Sequence, residues 1–223
     1  MEPETAEQQE PIEKTADHKK EKLFVYTIRD WKEYLGESVL IIFSVILALA
    51  LTEYFNNLHE KENTRTILKS IVAELKQNKI SIQEMHQYNL QVLNKIDSCL
   101  TDKKLQNDFV SNNELHLKVI APWGALYRYL DNNAWTIAKT NNVITKIDIE
   151  TVAVLTKVYD DQEKMMKLEN EVAKVILDRA SRDPKQVNTT LILIRDIYHA
   201  WAVDREPGLL QQIDSTIKKV EAY

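Results

Sequence analysis

The chain has 223 residues and a mass of 26.0 kDa, which suits one ordinary domain with appendages. It contains only 3 glycines and 5 prolines, so a glycine-rich phosphate loop and a turn-rich β-sandwich are nearly excluded. A single cysteine excludes an intrachain disulfide and a cysteine-based zinc cluster.

Charge is unevenly distributed along the chain. Residues 1–56 contain 11 acidic and 6 basic side chains, whereas residues 57–223 contain 23 of each, so the net charge of −5 belongs to the first segment. Because the larger segment has no basic excess to neutralise phosphates, nucleic acid is not expected as a partner. Residues 1–22 almost lack large apolar side chains, which predicts a disordered acidic tail.

An apolar segment follows. Residues 38–52 carry no charge, and a helix over residues 35–55 would be about 31 Å long, enough to cross a bilayer core. Trp31 and Tyr34 before it, and Tyr54 and Phe55 at its end, fit aromatic belts. These features predict a transmembrane helix over residues 35–55, after a juxtamembrane segment over residues 23–34. A cleaved signal peptide is disfavoured because the apolar run starts late and no good cleavage site follows; a buried core helix is the other alternative.

Basic residues flank the predicted span unequally. Five lie before it and three lie within a similar distance after it, which favours a cytoplasmic N-terminus. The body would then lie in the periplasm of a bacterial cell, anchored by a single pass in the inner membrane. The lipid bilayer is therefore the first expected partner.

Small and polar residues line one side of the predicted span. Glu37, Ser44, Ala48 and Thr52 fall within about 80° of one another at 100° per residue. Small residues spaced in this way let membrane helices approach closely. The pattern predicts packing against another copy of the chain or against a different membrane protein, although alanine and serine are also common in membrane helices by chance.

From residue 56 onward the sequence pattern is α-helical. Residues 64–100 contain neither glycine nor proline and carry a heptad-like seam of about four repeats. Asn78 and Asn89 interrupt the apolar seam. They would fix the register of the bundle if buried, or face water at the seam edge, and both alternatives stay open. The seam comprises Leu68, Ile71, Leu75, Asn78, Ile82, Met85, Asn89, Val92, Ile96 and Cys99.

The remaining elements complete a helical fold. Residues 101–122 are rich in turn formers and are predicted to be irregular. Short helices are predicted over residues 123–130 and 134–141, and a long helix over residues 148–180 with Asp148 as its N-cap. Asp183-Pro184 begins the next helix and Pro207-Gly208 ends it, before a last helix. The fold class is therefore all-α: one N-terminal transmembrane helix continues into an α-helical bundle over residues 56–223, with long antiparallel helices.

Apolar periodicity also predicts which residues of these later helices are buried. The stripe of the long helix comprises Val152, Leu155, Tyr159, Gln162, Met166, Glu169, Ala173 and Ile176. The stripes of the last two helices comprise Val187, Leu191, Ile194, Tyr198, Trp201, Leu210, Ile213, Ile217 and Val220.

Catalytic spacings are missing from the sequence. None of the five histidines has a partner four positions away and no HExxH motif occurs, so no metal, cofactor or catalytic residue is predicted. Ser215 and Lys218 match an SxxK spacing, but they lack its companion motifs. Cys99 follows the helical seam and is read as a small buried hydrophobe. An enzyme is not expected.

Aromatic residues concentrate at one corner of the predicted bundle. Trp123 and Tyr127 lie close together in the sequence, and Trp135 follows shortly after. They could line a ligand pocket or an interface. A core corner between short helices is favoured, because large aromatics dominate cores as well.

Part of the chain resembles a known kind of membrane protein. The peptide Tyr34-Leu35-Gly36-Glu37, the apolar helix after it, Asn56-Asn57 and Glu60 resemble bacterial single-pass membrane proteins of unknown function, many of them from Bacteroidetes. Residues 134–139 are similar to a second block of such proteins, so the resemblance covers about residues 30–180. It implies a membrane-anchored helical protein and carries over no activity and no site.

The expected function is that of a non-enzymatic subunit or scaffold in a membrane assembly. The small-residue face, the heptad-like seam and the lack of catalytic spacing favour it. One alternative is a sensor-type module that binds a ligand near Trp123 and Trp135 and signals through a partner. Another is an oligomeric pore with Glu37 around one mouth.

Overall fold

A computed structural model of the chain describes residues 31–223. The predicted acidic tail and residues 23–30 of the juxtamembrane segment lie outside the described residues. The described residues divide between two units, one that ends at Tyr54 and one formed by Phe55–Tyr223. The described part is mainly helical, as the sequence predicts, and the all-α fold class is confirmed.

The first unit contains the predicted span as far as Tyr54. Helix α1 (Trp31–Thr101) begins here, and no proline interrupts it. One helix of the described chain, the early part of α1, is long and apolar enough to cross a membrane. All ten large apolar side chains within residues 39–51 are exposed. The segment is therefore not the buried core helix of this chain.

The second unit is built on the later part of α1. All ten residues of the predicted seam are buried. Lys76 pairs with Glu221 of α7 (Glu206–Glu221) at 2.6 Å, and His86 pairs with Glu206 at 2.8 Å. Because the later residue of α1 pairs with the earlier residue of α7, the two helices are antiparallel. The predicted bundle of antiparallel helices is thus observed.

The segment 101–122 is more ordered than the sequence suggests. Helix α2 (Lys103–Phe109) is capped by Asp102 and leads into an antiparallel pair of two-residue strands, β1 (Val110–Ser111) and β2 (Glu114–Leu115). Asn112 and Asn113 between them have φ values of 51° and 60°. Asparagine tolerates this left-handed region, which a two-residue hairpin turn requires. The prediction of an irregular stretch is wrong here.

The helix predicted over residues 123–130 does not form. Instead, the hydroxyl of Tyr88 accepts a hydrogen bond from the Trp123 N–H at 3.2 Å and donates one to the Gly124 carbonyl at 2.7 Å. Gly124 has φ 94°, which is incompatible with a helix. The second predicted short helix is present as α3 (Asn133–Thr140).

The long helix predicted over residues 148–180 is divided in two. Asp148 caps α4 (Ile149–Met165) as predicted, accepting a hydrogen bond from the Thr151 N–H at 2.8 Å. A turn at Met166 and Lys167 precedes α5 (Leu168–Leu177) and changes the helical phase. The predicted stripe holds for Leu155, Tyr159 and Gln162 and fails from Met166 onward. Buried in its place are Met165 at the end of α4 and Leu168 and Val172 of α5.

The last helices meet at a π-helical turn. Asp183 caps a short 3₁₀ turn with Pro184 in its first position, as predicted, and α6 (Val187–His199) follows. Its predicted stripe is buried. The π-helical turn Ala200–Arg205 then leads into α7. Pro207-Gly208 does not separate two helices, since it lies in the first turn of α7, where the missing proline N–H costs nothing.

Candidate functional site

The small-residue face of the span lies on exposed helix surface. The hydroxyl of Ser44 donates to the Leu40 carbonyl at 2.7 Å, and that of Thr52 donates to the Ala48 carbonyl at 2.8 Å. Glu37 and Ala48 are exposed as well. Since both hydroxyls bond within their own helix, this face can enter lipid or pack on another helix without an unsatisfied hydroxyl donor.

Asn78 joins three parts of the bundle. Its Nδ2 donates to the Asp131 carbonyl at 2.7 Å and to Oε1 of Gln162 at 2.6 Å. Its Oδ1 accepts a hydrogen bond from the Asp131 N–H at 3.0 Å. Asn78 is buried, so it does not face water at the seam edge. It fixes the segment before α3 against α1.

Asn89 lies in a second buried polar group, which the sequence did not reveal. Its Nδ2 donates to Oε1 of Glu206 at 2.6 Å, while Nδ1 of His86 lies 2.8 Å from Oε2. Glu206 is fully buried. Burial raises the pKa of its carboxyl above the ordinary value, and the hydrogen bonds from His86 and Asn89 oppose that shift.

Glu206 directly follows the π-helical turn Ala200–Arg205, and it lines a cavity of about 470 Å³. Trp201 forms part of its wall, and its indole Nε1–H donates to Glu171 at 3.0 Å. The guanidinium carbon of Arg205 lies 4.4 Å from the centre of the Trp201 ring. The cavity is lined by Asp161, Lys164, Met165, Lys167, Glu171, Trp201, Arg205, Glu206, Leu209 and Gln212.

This cavity has the features of a ligand site. Its volume lies within the roughly 300–1,000 Å³ range of small-molecule pockets. π-Helical turns occur often at functional sites. A buried carboxyl, an aromatic wall and several charged side chains could orient a small polar ligand. We therefore treat the π-turn cavity, defined by the residues just given, as the candidate functional site of the bundle.

The predicted aromatic corner is two separate clusters. Trp123 stacks on Tyr127 at 4.8 Å and on Tyr88 at 5.4 Å between ring centres. Trp123 is 60% exposed, so this cluster lies at the surface. The structure brings Trp123 and Tyr127 together, as their spacing suggested, and adds Tyr88 from α1.

Trp135 belongs to the core instead. It is buried, and its ring lies parallel to that of Tyr159 at 5.5 Å. The Tyr159 hydroxyl donates to Glu74 at 2.6 Å, and burial raises the tyrosine pKa. Glu74 also accepts a hydrogen bond from the Ala134 N–H at 2.8 Å, which holds the start of α3. Trp135 therefore anchors α3 between α1 and α4.

One signal could have located Glu206 in the sequence. The stripe Ile213, Ile217 and Val220 of the last helix extends backward by four and three positions to Leu209 and Glu206. Both are buried. The Pro207-Gly208 pair masks this continuation in the sequence, because such a pair predicts a break between helices.

Two further observations bear on the site, one on metal ligands and one on similar proteins. Within residues 31–223, no group of three or more histidine, cysteine or acidic side chains could hold a metal ion. Comparisons with protein-family models, curated proteins and solved structures found no match to this chain. The resemblance to bacterial single-pass membrane proteins therefore depends on the quoted residues alone.

Proposed function

We propose that the chain is a membrane-anchored helical subunit or scaffold without enzymatic activity of its own. The observation that carries this proposal is the exposed apolar part of α1. Its ten large apolar side chains within residues 39–51 are not covered by the described chain. Full burial stabilises such a side chain by about 1.5–3 kcal/mol. Transfer of the ten side chains from water into lipid would therefore be favourable by up to roughly 15–30 kcal/mol.

The proposal places the small-residue face against a partner helix. Ser44, Ala48 and Thr52 are spaced four residues apart, and the hydroxyls bond within the helix, so backbones can approach there at little cost. The partner is a second copy of the chain or another membrane protein.

The polar groups of the bundle core support a scaffold. Asn78, Asn89 and Glu206 use their hydrogen bonds to join segments distant in sequence. Such buried networks favour one arrangement of the helices. A rigid body on a membrane anchor suits a protein whose task is to hold others in place.

The proposal includes a location. The excess of basic residues before the span supports a single pass in a bacterial inner membrane, with the N-terminus in the cytoplasm and the body in the periplasm. Lys157 is exposed on the body. In a Cys99→Ala background, a Lys157→Cys variant should react with an impermeant maleimide added to intact spheroplasts; protection until lysis would reverse the orientation.

Cysteine crosslinking in native membranes tests the packing face. Ala48→Cys should form a disulfide-linked product with a second copy, or a mixed product with a cysteine-bearing partner. Ile46→Cys is the matched control, because it lies about 200° away around the helix. Background from Cys99 is low because that thiol is buried. Equal crosslinking at both positions would contradict a specific face.

A ligand-binding module is the second candidate function, favoured by the π-turn cavity. Arg205 stacks on Trp201 beside the buried Glu206, which gives the cavity both charge and an aromatic surface. A thermal-shift screen of small charged metabolites should then find compounds that raise the melting temperature of the wild-type chain and not that of Arg205→Gln. A screen without any such compound would contradict this candidate.

A further inference from the structure

The charged side chains that line the π-turn cavity indicate the kind of ligand it suits. Acids and bases are present in equal number, so the lining as a whole selects neither a simple anion nor a simple cation. What a ligand meets depends on which of these side chains already have partners. The six are Asp161, Lys164, Lys167, Glu171, Arg205 and Glu206.

Four of the six are already engaged by neighbouring side chains. Asp161 pairs with Lys164 at 2.8 Å, and Lys167 pairs with Glu163 at 3.7 Å. The Glu206 carboxyl is fully buried, and its two oxygens are held by the two polar side chains of α1 described above. A ligand would have to break these contacts to use the four side chains, so they are not its first partners.

Arg205 and Glu171 remain, and Trp201 holds both. Neither forms an ion pair within residues 31–223. The guanidinium carbon of Arg205 lies 4.4 Å from the centre of the Trp201 ring, and Glu171 accepts a hydrogen bond from the Trp201 Nε1–H at 3.0 Å. One unpaired positive charge and one unpaired negative charge therefore lie against the same indole.

This arrangement suits a ligand that carries both charges close together. A stacked guanidinium keeps its N–H groups at its edge, where they match the two oxygens of a carboxylate. A carboxylate such as that of Glu171 accepts hydrogen bonds from an ammonium group. In an α-amino acid the two ionised groups are attached to one carbon, so a single molecule contacts Arg205 and Glu171 together. A simple anion or a simple amine satisfies only one of them.

Apolar surface completes the site. Met165, Leu209 and Trp201 line the cavity, and all three are buried. A ligand whose apolar side chain covers this surface gains from the removal of apolar area from water. The volume of about 470 Å³ leaves room for such a side chain beside the two charged groups.

We propose that the π-turn cavity binds an α-amino acid with an apolar side chain. Arg205 binds its carboxylate, Glu171 binds its ammonium group, and its side chain lies toward Met165 and Leu209. The inference rests on the ligand-binding module, the second candidate function above, and names the class of its ligand. It does not depend on the membrane anchor.

Isothermal titration calorimetry of the full-length protein in detergent tests the need for both charges. The probes are L-leucine, L-methionine and L-phenylalanine. Two companions of leucine each lack one charge: isocaproate has no ammonium group, and isoamylamine has no carboxylate. Each companion should bind roughly 10–100-fold more weakly than leucine, because it loses hydrogen bonds between charged groups. Binding of either companion as tightly as leucine would overturn the proposal.

Two variants assign the charges to their partners. Arg205→Gln and Glu171→Gln should each weaken leucine binding by roughly 10–100-fold. Glu171→Gln keeps an oxygen that can accept the Trp201 Nε1–H, and Arg205 is exposed, so both variants should fold. Isoamylamine should be insensitive to Arg205→Gln, and isocaproate should be insensitive to Glu171→Gln. The reverse pattern would contradict the assignment of the two groups.

The matched controls remove an exposed charge of each sign elsewhere on the bundle. Arg182→Gln and Glu114→Gln change exposed side chains that do not line the cavity. Both should bind leucine with wild-type affinity, and the melting temperatures of all four variants should match that of the wild type without ligand. Equal loss of leucine binding in the control variants would overturn the proposal, since it would show a general charge effect.

Failure of this inference is distinguishable from failure of the ligand-binding module itself. A thermal-shift ligand that depends on Arg205 but carries only one kind of charge, with no binding of the three amino acids, would overturn the amino-acid proposal and keep the module. If neither the amino acids nor any screened compound binds the wild type, both are overturned.

Discussion

Nδ1 of His86 lies 2.8 Å from Oε2 of Glu206, and that carboxyl group is fully buried between α1 and α7. Asn89 donates to the other carboxyl oxygen at 2.6 Å. Burying a charged group is costly unless partners compensate it. Two hydrogen bonds from consecutive turns of α1 therefore hold the first turn of α7, next to the π-turn cavity.

The raised pKa of the Glu206 carboxyl should be visible in how the free energy of unfolding depends on pH. Burial raises the Glu206 pKa in the folded chain, so folding favours its protonated form. The stabilisation is complete below the ordinary carboxyl pKa and is lost as pH rises through the raised one. In urea titrations across this range, the wild type should lose stability relative to Glu206→Gln.

The exposed Glu114 supplies the control for that experiment. Glu114→Gln should show the same dependence of unfolding free energy on pH as the wild type. A wild-type chain that gains stability over Glu206→Gln as pH rises would contradict the raised pKa.

Removal of the Asn78 side chain should destabilise the bundle. Asn78→Ala leaves the Asp131 main chain and Gln162 without their partner. An unsatisfied buried group costs about 1–3 kcal/mol, so we expect a loss of about 2–4 kcal/mol in urea unfolding. Asn94→Ala on the exposed face of α1 should change stability by less than about 0.5 kcal/mol. Similar losses in the two variants would argue against the network.

The two aromatic clusters should respond differently to truncation. Trp135→Ala removes a buried ring and should cost about 3–5 kcal/mol. Trp123→Ala removes a largely exposed ring with two ring contacts, so its cost should stay below about 2 kcal/mol. Thermal unfolding of both variants measures the difference. A larger loss of stability for Trp123→Ala than for Trp135→Ala would contradict the assignment of Trp135 to the core and Trp123 to the surface.

The small-residue face can also be tested by enlarging a side chain within it. Ala48→Leu adds volume where close helix approach is proposed and should reduce the fraction of chain in the assembled form. Ile46→Leu keeps the volume on the far side of the helix and should leave assembly unchanged. Blue native electrophoresis of mild detergent extracts gives both fractions. Assembly insensitive to Ala48→Leu would move the contact elsewhere.

Periodicity predicted those parts of the fold in which one helix face meets the core without interruption. The seam of α1 and the stripe of α6 are buried residue for residue, and the caps at Asp148 and Asp183 lie where the sequence placed them. These features depend on local spacing and on side chains that bond their own backbone, which a single sequence displays.

The failures have tertiary causes. Residues 123–130 are not helical because the Tyr88 hydroxyl, distant in sequence, takes the backbone hydrogen bonds of Trp123 and Gly124. The turn at Met166 contains neither glycine nor proline, so no local sequence signal predicts that the helix is interrupted after α4. The sequence does not identify Glu206 because Pro207-Gly208 predicts a break between helices, whereas the pair lies in the first turn of α7. The cavity beside Glu206 also depends on the π-helical turn Ala200–Arg205, which no local sequence signal predicts.

The mass of the intact complex, extracted gently from its native membrane, tests the proposed function most directly. The chain alone has a mass of 26.0 kDa. A membrane-anchored subunit predicts either a whole multiple of that mass or a larger complex that contains other chains. Recovery from the membrane as a lone chain of that mass, or recovery from the soluble fraction, would contradict it.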